Sequence, residues 1–483
     1  MSSPVMSARR LAGILGNLDG TGPAYAEITD RIRVAAMDGR LADGTRLPSE
    51  RELAAALGVS RTTTSRAYAD LREAGLIASR RGSGSTVTVP LEASPASTLL
   101  GTHSDPDTLA FTYSAPIGPP GMARAFERAI AKLPGLLATS GYLPDGLPAL
   151  RELLADYYRQ RGLPTDPDQI IVTNGAMGAI SLLSRTLLSP GDRVLVEGSS
   201  YPHAHDSIIA AGGRLTALPV GNGSPWDVEA MAAALKASRH TLAYLICDFH
   251  NPTAAVMTGP EREAWAGHLR RRGVTAVVDE SMHEVNLDGI DLPPSLAHFD
   301  PSTVLIGSSS KPFWGGLRVG WVRAPKPLVV TLVQARMIAD LGTSAFDQVV
   351  FAELLSDGGQ TAAAGRAALR QGRDHLLGEL AEHLPEIEAP CPAGGLSLWV
   401  TLPGHFSTRL CAAAERRKLL LTPGPRFFSL GGRAGERHLR IPYAHSSEHL
   451  SEAVQRLRLA YDDVQAGRTG TRRTDSPTID LIA

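Results

Sequence analysis

A chain of 483 residues, 43 % of them apolar, is too long for one ordinary core, so at least two domains are expected. Its formal net charge of −1 excludes bulk attraction to nucleic acid or an acidic membrane, and any such partner has to be met by a local patch. The three cysteines, Cys247, Cys391 and Cys411, are odd in number and far apart, which argues against a disulfide framework or a paired-cysteine metal or redox motif; with no apolar run near the roughly 18 residues of a membrane span, the expectation is a cytoplasmic protein with no membrane partner.

Residues 1–23 read as an amino-terminal extension with no assigned structure. Residues 24–90 read as a small domain of short helices closed by a hairpin. Within it, "LPSERELAAALGVSRTTTSRAYADLREAGLI" (47–77) holds two helix starts in succession. Ser49 with Glu52 three residues on has the spacing of a capping box, Gly58 ends that helix, and Ser60 caps the next. Two helices joined by Gly58-Val59-Ser60 make a helix-turn-helix, with Leu53, Leu57, Val59, Ala67, Leu71, Leu76, Ile77, Ile28 and Ile32 as its small core. The second helix carries Arg61, Thr62, Thr63, Ser65 and Arg66 near its start, the part of this motif that enters the major groove. "IASRRGSGSTVTV" (77–89) reads as a two-stranded wing, with Arg80 and Arg81 beside a tip that includes Gly82 and Gly84. A solvated arginine face on a small helical domain is the plain alternative, but it does not explain two caps and a glycine turn in order, followed by a basic glycine hairpin. The stretch resembles the winged helix-turn-helix of the GntR family of bacterial regulators. That resemblance implies double-stranded promoter DNA as partner, and Arg51, Arg61, Thr62, Thr63 and the wing glycines as contacts. Ser60 belongs to the same candidate surface.

Residues 91–108, rich in Pro, Ser, Thr and Asp, read as a linker. From 109 to 463, buried-strand runs such as "QIIVT", "RVLVEG", "LAYLIC", "TAVVDE" and "TVLIGS" alternate with helical patterns, which predicts an α/β domain around a largely parallel sheet. Residues 464–483 read as a disordered tail.

Lys311, one of only five lysines, stands in "GSSSKPFWGGLRVGW" (307–321). An amine there can condense with an aldehyde, and Ser308, Ser310 and Arg318 suit a phosphate on the aldehyde's carrier. Pyridoxal 5′-phosphate (PLP) meets that description. It also needs backbone N–H groups at a helix start, which Gly175, Ala176 and Met177 supply after a strand. It needs a carboxylate for its pyridinium nitrogen, and Asp279 ends a buried strand. An aromatic ring and a donor for its phenolic oxygen are available in Tyr201 and Asn251. Taken singly, each is as easily a surface charge, a cap or a core residue; the order in which they occur is the argument.

The segments "NGA", "YP", "HNPT", "VVDE", "SSSK" and "GLRVGW" resemble the fold-type I aminotransferases in order and spacing. With the amino-terminal module, residues 24–463 resemble the MocR subfamily of PLP-dependent transcriptional regulators. The resemblance implies Lys311 as the Schiff-base lysine, Asp279 as the pyridinium partner, Tyr201 as the stacking ring and Asn251 as the phenolic-oxygen donor. It implies that Ser308, Ser310, Arg318 and the 175–177 backbone form the phosphate cup. Tyr142 matches a tyrosine that reaches the partner subunit's phosphate, which implies a homodimer, domain swapping included. Arg440 matches an arginine that grips a substrate carboxylate. Ser281 stands where the family often has a tyrosine, "PTAA" replaces Pro-Thr-Gly, and Met177 replaces a frequent glutamine. These departures count against turnover more than against PLP binding. The expected function is a PLP-binding transcriptional regulator that senses PLP or an amino-acid or amine effector. The alternatives are a working aminotransferase with a DNA-binding appendage and a regulator in which Lys311 forms no adduct.

Overall fold

The computed structural model describes residues 6–16, 18, 23–37, 41, 45–73, 76–80, 84–87, 107–218, 225–429 and 433–467. Arg81, Gly82, nearly all of the expected linker and the tail beyond 467 lie outside the described residues, as does the side chain of Arg80. The chain divides into two compact units, one ending at Pro106 and one starting at Asp107.

The first unit contains α1 (Ala8–Leu15), α2 (Ala24–Met37), α3 (Glu50–Leu57) and α4 (Arg61–Glu73), followed by the antiparallel pair β1 (Ile77–Arg80) and β2 (Gly84–Val87). α3 starts where its sequence requires. The Ser49 hydroxyl accepts from the Glu52 N–H, and Glu52 Oε2 accepts from the Ser49 N–H at 2.8 Å. Gly58 leaves the helix in the left-handed region at φ 68°, which costs glycine little. Ser60 Oγ accepts from the Thr63 N–H at 3.1 Å and caps α4. Ile28, Ile32, Leu53, Ala67, Leu71, Leu76 and Ile77 are buried together, with Leu57 and Val59 half-buried against them. Within the expected amino-terminal extension of residues 1–23, α1 buries Leu11 and Leu15 in this same core.

The second unit is built on β4 (Ile170–Asn174), β5 (Arg193–Val196), β6 (Arg214–Ala217), β7 (Leu242–Leu245), β8 (Thr275–Asp279), β9 (Val304–Ser308) and β10 (Val319–Arg323), after a short β3 (Leu109–Phe111) that joins another sheet. They form one sheet in the order β4-β10-β9-β8-β7-β5-β6. β10 runs antiparallel to both its neighbours, while β9, β8, β7, β5 and β6 are mutually parallel. Successive residues face opposite sides of a strand, and both sides are buried. Ile170 and Val172, Leu195, Ala243, Leu245, Ala276 and Val278 pack into one apolar cluster. Ile171, Val194, Val196, Leu242, Tyr244, Val277, Val304 and Ile306 pack into the other. That double burial is why the strands read as continuous apolar runs.

A four-stranded sheet, β11 (Ser397–Thr401), β13 (His438–Pro442), β12 (Leu419–Pro423) and β3 in spatial order, packs against helices Gln360–His383, Ser407–Arg416 and Ser447–Gln465 around a third cluster. No described helix is long and apolar enough to cross a membrane.

Candidate functional site

The parallel strands of the central sheet end on the same edge, and the candidate residues come from those ends. Gly175 follows β4, Tyr201 follows β5 by five residues, Asn251 follows β7, Asp279 ends β8, Ser308 ends β9, and Ser310 and Lys311 come next. β10 runs the other way, so its beginning lies at this edge and delivers Arg318. Arg440, on β13, reaches the site from the other sheet, where its guanidinium lies 3.4 Å from Asn251 Oδ1.

Lys311 Nζ donates to the carbonyl of Ser114 at 3.0 Å. Burial, reinforced by the positive charges of Arg440 and Arg318 and opposed by Asp279, lowers its ammonium to about 8. That leaves about a tenth of the amine neutral near pH 7, far more than an ordinary lysine, and the neutral form is the nucleophile. Asp279 accepts from the Ser281 N–H at 2.9 Å and from the Tyr244 hydroxyl at 2.8 Å. Burial nevertheless raises its carboxyl, against those bonds and the charge of Lys311. Tyr201 immediately precedes the helix Pro202–Ala210, and burial, with Asp279 nearby, raises its phenol.

The phosphate cup is shaped by glycines. Arg318 adopts φ 51° and lies 3.5 Å from Ser310 Oγ and 3.4 Å from the Asn174 carbonyl. A Cβ on Gly175 would sit 2.5 Å from Arg318 Nη2, and one on Gly320 would sit 2.4 Å from the Gly175 carbonyl carbon. Both clashes fall on the amino end of the helix Gly175–Leu187, whose first turn holds Ala176 and Met177 and presents free N–H groups beside the guanidinium.

Arg440 is 1 % exposed, donates to the Thr112 carbonyl at 2.7 Å and lies 4.9 Å from the centre of the Phe427 ring. Its guanidinium is lowered to about 10 by burial, and its Nε has no partner among the described residues. The hydroxyl of Ser114 is likewise buried and without a partner among the described residues. Unsatisfied buried donors are costly and rare, so their concentration here fits a pocket completed by a polar ligand. A recess lined by Ser114, Phe249, Asn251, Ser397 and Arg440 adjoins them. The donor set suits a phosphate at one end, a pyridinium at Asp279 and a carboxylate at Arg440. Tyr142 is on the surface, 68 % exposed.

Sequence reasoning missed Tyr244 and Glu197. Tyr244 pairs in register with Val277, so Asp279, two residues on, lies on the same face, within reach of its hydroxyl. A tyrosine inside an apolar run was the available signal, since its buried hydroxyl needs a partner. Glu197 is fully buried and accepts from Ser200 Oγ, Trp226 Nε1 and the Ile246 N–H, which braces the loop before Tyr201.

In the first unit, Arg51, Arg61 and Thr62 are exposed and Thr63 is half-buried. The half-buried Ser65 hydroxyl donates to Glu50 Oε2 at 2.6 Å and ties α4 to α3. Arg66 pairs with Asp70 at 3.0 Å and lies over the Tyr25 ring. Ser60 acts as a cap.

Residues 123–457 match the family "Aminotransferase class I and II", and residues 24–87 match "Bacterial regulatory proteins, gntR family". The chain belongs to the class I and II aminotransferase family. Its amino-terminal GntR domain gives it the MocR architecture, a DNA-binding regulator fused to an aminotransferase-like PLP domain. The 2-aminoadipate transaminase of Thermus thermophilus is 32 % identical over 327 residues, covering 66 % of this chain and 79 % of that protein. The HTH-type transcriptional regulator YdfD of Bacillus subtilis is 27 % identical over 474 residues, covering 90 % of this chain and 96 % of that one. Among solved structures, the α-aminoadipate aminotransferase LysN of Thermus thermophilus, complexed with N-(5'-phosphopyridoxyl)-L-leucine, aligns with a TM-score of 0.66 at 30 % identity, covering 74 % of this chain and 93 % of that one.

Proposed function

We propose that this MocR-type protein regulates transcription by holding PLP at Lys311 and reading an amino-acid or amine effector through Arg440. The observation that carries the reading is the joint presence of a lysine lowered to about 8, a buried carboxylate, a glycine-shaped arginine cup and a buried arginine with an unpartnered Nε at one sheet edge. Bound there, PLP supplies an aldehyde for amines and an electron sink. Arg318, Ser308, Ser310 and the N–H groups of 175–177 hold the phosphate. Asp279, fixed by Tyr244 and Ser281, keeps a negative charge for the ring nitrogen. Tyr201 covers the ring face, Asn251 serves the phenolic oxygen, and Arg440 orients an incoming carboxylate.

An exposed apolar surface borders this cup and supports a homodimer. Asn174 donates to Asp340 at 2.6 Å, which places the segment of Met337, Ile338 and Leu341 beside the cup. Gly342 abuts the Leu143 carbonyl, so Tyr142 belongs to the same surface. In a dimer, Tyr142 reaches the partner's phosphate. In the first unit, Arg51, Arg61, Thr62 and Thr63 read or hold promoter DNA, and Arg80, Arg81, Gly82 and Gly84 of the wing hold its backbone.

The rival is an active aminotransferase, favoured by the presence of Lys311, Asp279 and Arg440 together. The discriminating experiment measures binding to the DNA upstream of the protein's own gene and of its divergent neighbour, with and without PLP and candidate amines, alongside a multiple-turnover assay with an amino donor and a keto acid. PLP-dependent change in DNA affinity without sustained turnover supports the regulator. Sustained turnover with PLP-indifferent DNA binding supports the enzyme.

A further inference from the structure

The arginines of the first unit whose side chains are described fall into two sets. Arg31, Arg66 and Arg72 are paired with Glu27, Asp70 and Glu50. Arg9, Arg10, Arg46, Arg51 and Arg61 are all exposed, and none of them forms an ion pair within 4 Å among the described residues. Arg51 and Arg61 lie on the helix-turn-helix. The other three lie outside the usual reading elements, two of them on α1, which precedes the GntR match at 24–87.

Their placement is built. Arg46 forms an isolated antiparallel bridge to Thr86 of the wing, and Leu47 N–H donates to the Ser85 carbonyl at 2.8 Å. The Arg46 guanidinium lies against the wing: a Cβ on Gly84 would sit 3.1 Å from its Nε. The same positive charge helps lower the carboxyl of Glu52 in the first turn of α3, behind the bonds from Ser49. Arg46 therefore stands between the wing and the start of the helix-turn-helix. On its other side the Met6 N–H donates to the Arg46 carbonyl at 2.9 Å, and α1 begins two residues later. α1 is held by Leu11 and Leu15 in the core, by the Ser7 cap on the Arg10 N–H, and by Arg31, which donates to the Leu15 carbonyl at 2.6 Å. Its first turn has no acidic residue.

We infer that Arg46, with Arg9 and Arg10 at the amino end of α1, forms an additional phosphate-contacting surface that extends the DNA interface from the wing root along α1. The inference rests on the DNA-binding reading and deepens it. These side chains add affinity without sequence discrimination, because phosphates carry no base identity.

The test measures full-length, PLP-loaded protein binding to a duplex of random sequence over a salt series. Removing one phosphate contact lowers the slope of log K against log salt by about 0.9. Arg46→Ala should lower it by about that amount, Arg46→Lys should restore it, and the Arg9→Ala/Arg10→Ala double variant should lower it by about 0.9 to 1.8. Arg185→Ala, an exposed arginine in the second unit, serves as the charge-matched control and should leave the slope unchanged. A purely structural role for α1 or Arg46 would lower the melting temperature with the slope intact, and an unchanged slope for either variant overturns the inference while leaving DNA binding standing. If the wild-type chain binds no duplex at all, the DNA-binding reading and this inference fall together.

Discussion

The two units arrange their functional groups in opposite ways. In the DNA-binding unit Arg51, Arg61, Thr62 and Thr63 lie within thirteen residues of chain on two capped helices, the first three in solvent and Thr63 half-buried. In the second unit Ser114, Asp279, Lys311 and Arg440 come from distant parts of the chain, are wholly or partly buried, and include donors with no partner among the described residues. An interface for a polyanion needs exposed charge and little enclosure. A pocket for a small cofactor needs desolvation, which shifts the titration of Lys311 and Asp279 and makes each unmet hydrogen bond costly.

The sharpest way to break this contrast is Lys311→Ala. It should abolish the visible absorbance of the bound cofactor while leaving the random-duplex salt slope unchanged; a collapse of both would mean the units are not separable. Arg61→Ala is the converse, costing about 1–3 kcal/mol of discrimination between operator and random DNA with cofactor absorbance intact. Smaller effects sharpen the picture inside each unit. Tyr244→Phe removes one of the two bonds that hold Asp279 and should weaken PLP binding by about 1 kcal/mol, roughly fivefold in Kd by absorbance titration. Ser49→Ala removes the cap of α3 and should cost about 1 kcal/mol in chemical denaturation of the first unit, without moving the second transition.

The mildest prediction concerns pH. In cofactor-free protein Lys311 titrates at about 8 rather than 10.5. Between those values the folded state binds fewer protons than the unfolded chain, so stability rises with pH through that window. The melting-temperature difference between wild type and Lys311→Met should therefore shift in favour of wild type as pH rises from 8 to 10.5, and a shift the other way would contradict the desolvated amine.

Much of the fold was legible because its determinants are local or periodic. The capping box at Ser49, the left-handed Gly58 and the apolar runs of β4, β5, β7, β8 and β9 each report a backbone state directly. β10 was less legible because Gly320 interrupts it, and that glycine is needed for a long-range reason: the close approach of Gly175. α1 was missed because eight residues with two buried leucines carry too little periodicity to outweigh the flanking loop.

The candidate site divides along the same line. The residue types and their order, Gly175, Tyr201, Asn251, Asp279, Lys311 and Arg318, are written in the chain, and so is the chemistry of an amine beside phosphate-binding groups. Three matters depended on tertiary contact. Tyr244 reaches Asp279 across neighbouring strands, Ser65 turns inward to Glu50, and Arg440 is buried with an unpartnered Nε. Local sequence determines which backbone conformations and functional groups exist; which of those groups are desolvated, paired or left open depends on separate elements, 15 residues apart for Ser65 and Glu50 and 328 for Arg440 and Thr112, packing against one another.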